Sequence, residues 1–324
     1  MAHGIVGQER VQEVAGRIMD EVERVIVGKR VVIEQVMVAI LCEGHVLLED
    51  VPGIGKTMLA RSMAAALGGE FGRVQFTPDL LPTDITGSLV FDPRSAEFTY
   101  RPGPVLVNVL LADEINRAGP RTQSALLEAM EERQVSVERE RISLPRPFFV
   151  LATQNPVELE GTFPLPEAQL DRFMLRTAIG YPELEDERIM LRRFRTDSPL
   201  TSVRAVTSPE EVGELIAIVR RVHVSVAVED YLLALVRSTR ETSNIEVGAS
   251  PRAALALVRA AQANAALHGR GYVLPDDVRD LAVSVLAHRV IPTAQADLMG
   301  TTSADLVTSV VAETPVPVES FSAV

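Results

Sequence analysis

The sequence predicts an α/β fold: a parallel-sheet core with β-hairpin inserts, followed by a smaller all-helical domain. Three observations carry this. Four short apolar runs, "GHVLLED", "GRVQFTP", "NVLLADE" and "FFVLATQN", are bounded by turn signals and mostly separated by helical patterns, as in a sheet covered on both faces. The first of these runs straight into "VPGIGKT", a glycine turn that opens a helix. After about residue 200 the strand-like runs give way to capped helices. The expected division is a core over 1–198, a helical domain over 199–313 and a flexible tail over 314–324.

Length and composition agree. The chain has 324 residues, 47% of them hydrophobic and 23% charged, enough to bury a core. A net charge of −12 argues against a wide basic surface for nucleic acid. The single cysteine, Cys42, cannot form an internal disulfide and reads as a buried structural thiol. No apolar run is long enough to span a membrane, and "MAHGIVGQER" is unlike a signal peptide, so a cytoplasmic protein is expected.

The phosphate loop follows the first strand. Gly53 and Gly55 let backbone N–H groups curl around an anion, and the helix beginning near Lys56 adds its positive end. Lys56 suits β- and γ-phosphates and Thr57 suits Mg²⁺. Ile54 and Met58 complete the loop beside the nucleotide. The pattern G-x-x-x-x-G-K-[ST] is broken at its first position, where Asp50 replaces glycine. Asp tolerates positive φ better than most residues, and its side chain should face away from bound phosphate. On this reading Asp50→Gly is mild.

Two hairpins interrupt the strand–helix rhythm. "SLVFDPRSAEFTY" turns at Asp92-Pro93, and "QVSVERERISL" alternates apolar and polar residues around a charged middle. The pattern by itself favours ordinary surface hairpins. Between them, "VLVNVLLADEIN" ends a buried strand on Asp113 and Glu114, an arrangement that is costly unless the acids are paired or hold a metal. Asp113 fits the Mg²⁺ carboxylate, and Glu114 the base that orients water. "FFVLATQN" ends on Asn155, an amide suited to positioning that water. Arg172, in "LPEAQLDRFM", and Arg252, at the start of a later helix, are unremarkable alone, though Arg252 opposes its helix dipole. The helical domain carries its own punctuation: Ser208, Pro209 and Glu211 open one helix, Ser250 and Pro251 another that stops at Gly269, and Pro275 a third.

Together these motifs resemble the AAA+ ATPases, and among them the MoxR family, over nearly the whole chain. The phrases "QFTPDLLPTDITGSLVFD", "RPGPVLVNVLLADEINRAGPRTQSALLEAMEERQVSV" and "FFVLATQNPVELEGTFPLPEAQLDRF" carry far more of the resemblance than the phosphate loop. The resemblance implies an ATP- and Mg²⁺-dependent ATPase. Val27 and Gly28 would lie against adenine. Gly53, Gly55, Lys56 and Thr57 would form Walker A, and Asp113 and Glu114 Walker B. Asn155 would be sensor 1, Arg172 the arginine finger acting on a neighbour's ATP, and Arg252 sensor 2 from a helical lid. Both hairpins would face the pore of a ring, usually a hexamer. Family relatives mature or remodel other proteins, often with a partner that carries a von Willebrand factor A domain. A nucleic-acid motor, a small-molecule kinase and a nucleotide-gated scaffold of very slow turnover remain as alternatives; the mixed charge of 138–141 does not favour the first.

Overall fold

A computed structural model describes residues 2–94, 96–137, 140–156, 161–195 and 199–317, with backbone alone for 2–6. The chain forms two compact units. One comprises Gly16–Phe173 and Thr177–Glu214; the other comprises Met1–Ala15, Met174–Arg176 and Leu215–Val324.

The first unit is built around parallel strands. In chain order, the part of α1 (Ala2–Glu23) from Gly16 onward and α2 (Arg30–Leu41) precede β1 (Val46–Glu49), α3 (Lys56–Leu67) and β2 (Phe71–Gln75). The short α4 (Pro82–Thr86) leads into the hairpin β3 (Gly87–Asp92) and β4 (Glu97–Pro102). Then come β5 (Val109–Asp113), α5 (Pro120–Glu132), the hairpin β6 (Gln134–Val137) and β7 (Glu140–Ser143), and β8 (Phe149–Gln154). The elements α6 (Glu167–Leu170) and α7 (Leu184–Arg193) follow, and β9 (Leu175–Thr177) lies between them in the chain, its first two residues counted with the second unit.

Four strands hydrogen-bond in the order β2-β5-β8-β1, all parallel. Strands β1, β5 and β8 are buried along nearly their whole length, as expected of central strands covered on both faces. Leu47, Leu110, Ala112, Val150 and Ala152 join Phe76, Leu126, Leu127 and Phe173 in one apolar cluster. His45, just before β1, is buried within this unit. Its Nδ1 accepts from Val150 N–H (3.0 Å) and its Nε2 donates to Met130 O (3.2 Å), which fixes a neutral tautomer. Burial is the main cause that pushes its pKa down to about 4.

All four strand-like runs and both hairpins appear where the sequence places them. The first hairpin carries an exposed cross-strand pair, Phe91 and Phe98, with ring centroids 5.3 Å apart. The tip of the second, 138–139, lies outside the described residues. Cys42 corrects an expectation: it is only partly buried, at the C-terminal cap of α2, where the chain leaves the apolar face of that helix.

The second unit contains α9 (Val226–Glu241), α10 (Pro251–Leu267), α11 (Pro275–Leu286), α12 (Ala294–Leu298) and α13 (Ser303–Glu313); α8 (Pro209–Val219) enters it. Its helices start as the sequence reads. Ser208 Oγ accepts from Glu211 N–H, and Ser250 Oγ from Ala253 N–H. Gly269 adopts φ +71° just past α10. The buried Asp277 of α11, 2% exposed, receives two bonds of 2.6 Å from the partly buried Arg270 guanidinium in the connection after α10, one from Asn264 of α10 and one from Leu274 N–H. Thr314, expected in the loose tail, is buried and caps α13; 318–324 lie outside the described residues.

Candidate active site

Parallel pairing brings the functional strand ends to one edge of the sheet. Leu48 pairs with Thr153 and Glu49 with Gln154, while Gln75 pairs with Asp113. The phosphate loop leaves β1, the acids end β5, and Asn155 follows β8.

The loop itself follows from its glycines. Gly53 and Gly55 adopt φ +87° and +96°, values that L side chains rarely take, and Gly55 directly precedes α3. Twelve residues of helix therefore point their N-terminus at the turn. Burial pulls the Lys56 ammonium below the ordinary lysine range, against the opposing pull of Asp50, Asp113 and Glu114. Its Nζ donates to Asp50 O at 2.5 Å.

Strand geometry alone would send Asp113 and Glu114 to opposite faces. Glu114 instead adopts φ 57° and ψ 50°, which ends the alternation and lets both acids line one cavity. A left-handed non-glycine residue stores roughly 1–3 kcal/mol of strain, typical of a functional position. Thr153, 1% exposed, supports the turn: its hydroxyl donates to Asp113 Oδ1 (2.7 Å) and accepts from Glu114 N–H (2.9 Å).

That cavity encloses about 270 Å³ and is lined by Gly53, Gly55, Lys56, Thr57, Asp113, Glu114, Asn155 and also Arg73. The sequence reading missed Arg73 and Gln75. Arg73 Nη2 donates to Asp113 Oδ2 (2.7 Å) and to Gln75 Oε1 (2.9 Å), and Gln75 Nε2 donates to Glu114 Oε2 (2.8 Å). Arg117 Nε also reaches Glu114, at 3.2 Å. Alternation along β2 places Arg73 and Gln75 on one side, a cue present in the sequence but meaningful only once β2 is known to lie beside β5.

The donors suit Mg²⁺. A hydroxyl (Thr57) and carboxylates (Asp113, Glu114) supply hard oxygen ligands, yet the described residues contain no cluster of three His, Cys, Asp or Glu able to hold a metal. Mg²⁺ commonly binds through one or two carboxylates together with substrate phosphates, so this set fits an ion that arrives with a nucleotide.

A second cavity of about 490 Å³ shares Pro52, Gly53, Gly55 and Met58 with the first. Val25, Ile26, Val27, Ile54, Ile179, Met190, Leu191 and Phe194 give it a largely apolar wall, and its size falls within the range of small-molecule sites. Gly28 does not line it. It adopts φ +71°, and a Cβ there would lie 1.8 Å from Asp186 Oδ2.

The remaining candidates lie elsewhere. Arg172 pairs with Glu131 (3.2 Å) and lines neither cavity. Arg252 is the second residue of α10, in the helical unit. Asp50 departs from expectation in its backbone, because it is absent from the residues with positive φ. Its carboxylate, outside the lining of the phosphate cavity, accepts from Val51 N–H (3.1 Å) and Gly180 N–H (2.8 Å).

Comparisons with known proteins agree with this geometry. Residues 45–175 match the model of the ATPase family associated with various cellular activities (AAA), and residues 237–310 match the AAA lid domain. The chain is 45% identical to the uncharacterized protein YeaC of Bacillus subtilis (strain 168), over 96% of this chain and 98% of that one. It is 42% identical to Chaperone MoxR1 of Mycobacterium tuberculosis, over 91% and 79%. Protein MoxR of Paracoccus denitrificans is 37% identical, over 82% and 85%. A crystal structure of a protein from Cytophaga hutchinsonii superposes with a TM-score of 0.90 at 37% identity, covering 96% of this chain and 97% of that one. An apolar cavity and a Lys–Thr–carboxylate cavity meeting on one glycine loop form a nucleotide site, and relatives this similar over this much of the chain fix its lineage: the chain belongs to the MoxR family of AAA+ ATPases.

Proposed function

We propose that this ATPase works as a ring, most simply a hexamer, that couples ATP hydrolysis to chaperone-like remodelling of protein clients. The observation that carries the reading is the pair of cavities sharing one loop, with Lys56, Thr57, Asp113, Glu114 and Asn155 on the polar side. The names of the MoxR relatives, one of them a chaperone, support the client class.

In the proposed mechanism the adenine occupies the apolar cavity and the phosphates lie along Gly53–Thr57. Lys56 neutralises phosphate charge, exchanging its bond to Asp50 O for phosphate oxygens. Thr57 and Asp113 would hold Mg²⁺, which when bound supplies charge neutralisation and orientation of the phosphates. Glu114 takes a proton from the attacking water, and Asn155 helps aim that water. Gln75 and Arg117 both hold Glu114 Oε2, which orients the carboxylate and leaves Oε1 to face the water. Arg172 from a neighbouring subunit stabilises transition-state charge, and Arg252 senses the nucleotide from the lid. Movement of the lid is passed to the two hairpins, which face the pore. The partners are a von Willebrand factor A domain protein and a protein client, and the compartment is the cytoplasm, where ATP is supplied.

The test is Glu114→Gln. The variant should bind ATP like the unmodified chain and lose hydrolysis by roughly 10²–10⁴-fold, the usual share of a general base. Capture on the ATP-trapped variant should recover a protein client. Hydrolysis at the unmodified rate would remove Glu114 from its role, and strong stimulation by DNA would replace the client class.

A further inference from the structure

Asp50 occupies the first position of the phosphate-loop pattern, where glycine is expected, and hydrolysis as described uses only its main chain. The residue is 9% exposed, and its side chain serves two backbone donors. Oδ1 accepts from the adjacent Val51 N–H, which holds the turn. Oδ2 accepts from Gly180 N–H, 130 residues further along the chain. Gly180 belongs to the segment Ile179–Pro182, which forms one wall of the apolar cavity. The same segment is held from another side, where Lys29 Nζ donates to Tyr181 O at 2.7 Å. The Asp50 carbonyl meanwhile receives Lys56 Nζ. One residue thus contacts the phosphate-binding lysine through its main chain and the base-side wall through its carboxylate. A glycine could supply only the first contact.

We propose that Asp50 is a positioning residue that locks the base-side wall at Gly180 to the phosphate loop, so that the two halves of a nucleoside triphosphate meet a site already assembled. The inference rests on the reading of the two cavities as base and phosphate sites. Its physical basis is preorganisation: a wall fixed before binding does not have to be ordered by the ligand. A hydrogen bond to a buried carboxylate is among the stronger kinds, and an N–H left without its acceptor is costly. The loss should fall more heavily on the base than on the phosphates: the Gly180 tie is made by the carboxylate alone, whereas the cradle Gly53–Thr57 also keeps its glycine turn, its helix N-terminus and the bond from Lys56 to the Asp50 carbonyl. Asp50→Gly is therefore not a mild change here.

The test compares ATP with inorganic tripolyphosphate, the same charge without a base, by calorimetry on the full chain and on Asp50→Asn. The asparagine keeps the size but turns an NH₂ towards one of the two N–H donors. The variant should bind ATP roughly tenfold or more weakly, as expected for losing one charged hydrogen bond, with tripolyphosphate binding changed clearly less. Equal weakening of both ligands would mean that Asp50 only shapes the phosphate cradle, and no weakening would mean that it positions nothing; either overturns the proposal. Hydrogen exchange in the unmodified, nucleotide-free chain tests the tie without depending on whether the variant folds. The Gly180 amide should exchange slowly, and fast exchange there would overturn the tie. If the unmodified chain bound tripolyphosphate and ATP equally, the base-site reading would fail first, a result separable from any effect of the variant.

Discussion

His45 gives the fold a calculable dependence on pH. It is buried, and its neutral ring joins the start of β1, through β8 at Val150, to the end of α5 at Met130. Protonation would turn Nδ1 into a donor facing the Val150 N–H. Burial first, and the nearby Arg133 charge as a further cause, hold the folded pKa at about 4 against 6.5 for a free histidine. The sign follows from linkage. Below 6.5 the unfolded chain takes up a proton that the folded chain refuses, so the stabilisation is complete above pH 6.5 and is lost as pH falls towards 4. With these two values, the ratio (1 + 10^1.5)/(1 + 10^−1) at pH 5 is about 30, which corresponds to about 2 kcal/mol relative to pH 7.5. Urea unfolding of the unmodified chain and of His45→Gln at pH 7.5 and 5.0 isolates this contribution. The unmodified chain should lose about 2 kcal/mol more than the variant on acidification. Equal losses would show that His45 takes up its proton as readily in the fold as in the unfolded chain and that the assigned hydrogen bonds are wrong.

Three further outcomes follow from particular contacts. Gly28→Ala forces a Cβ towards Asp186 at a left-handed φ; it should cost at least about 1–2 kcal/mol from the backbone alone and weaken ATP binding, both readable by thermal unfolding with and without ATP. Arg270→Ala strips the buried Asp277 of two charged bonds while leaving Asn264 and Leu274 N–H in place, so a loss of about 3 kcal/mol is expected in urea titration; a change under 1 kcal/mol would show the pair to be solvated. Arg172→Ala should slow turnover by roughly 10³-fold or more with ATP binding intact, and mixing it with Glu114→Gln subunits should restore part of the activity, because a mixed ring recreates sites with both groups; no recovery would rule out a finger acting between subunits.

The sequence by itself determined the local structure and most of the chemistry. Apolar runs fixed β1, β5 and β8, because a central strand must be apolar on both faces. Gly53, Gly55 and the Lys-Thr pair fixed the phosphate loop, because only glycine adopts those backbone angles without strain. The acids at the end of "VLLADE" declared themselves by their cost in a buried strand. Short-range caps such as Ser208 and Ser250 were equally legible, since each acts within one helical turn. What escaped is the set of relations between residues far apart in the chain. Arg73 and Gln75 became part of the site only when β2 paired with β5 in a register that sets Gln75 opposite Asp113. The apolar cavity draws residues 25–27 and 179–194 to the loop at 52–58, and no local pattern announces that. Asp50 shows the difference within one residue. Sequence could say only that the loop tolerates it, whereas the fold supplied Gly180 N–H, a partner 130 positions away that a buried carboxylate requires. Local conformation depends on residues within a few positions of one another; hydrogen-bond partners and cavity walls depend on register and packing, which are set by the whole chain.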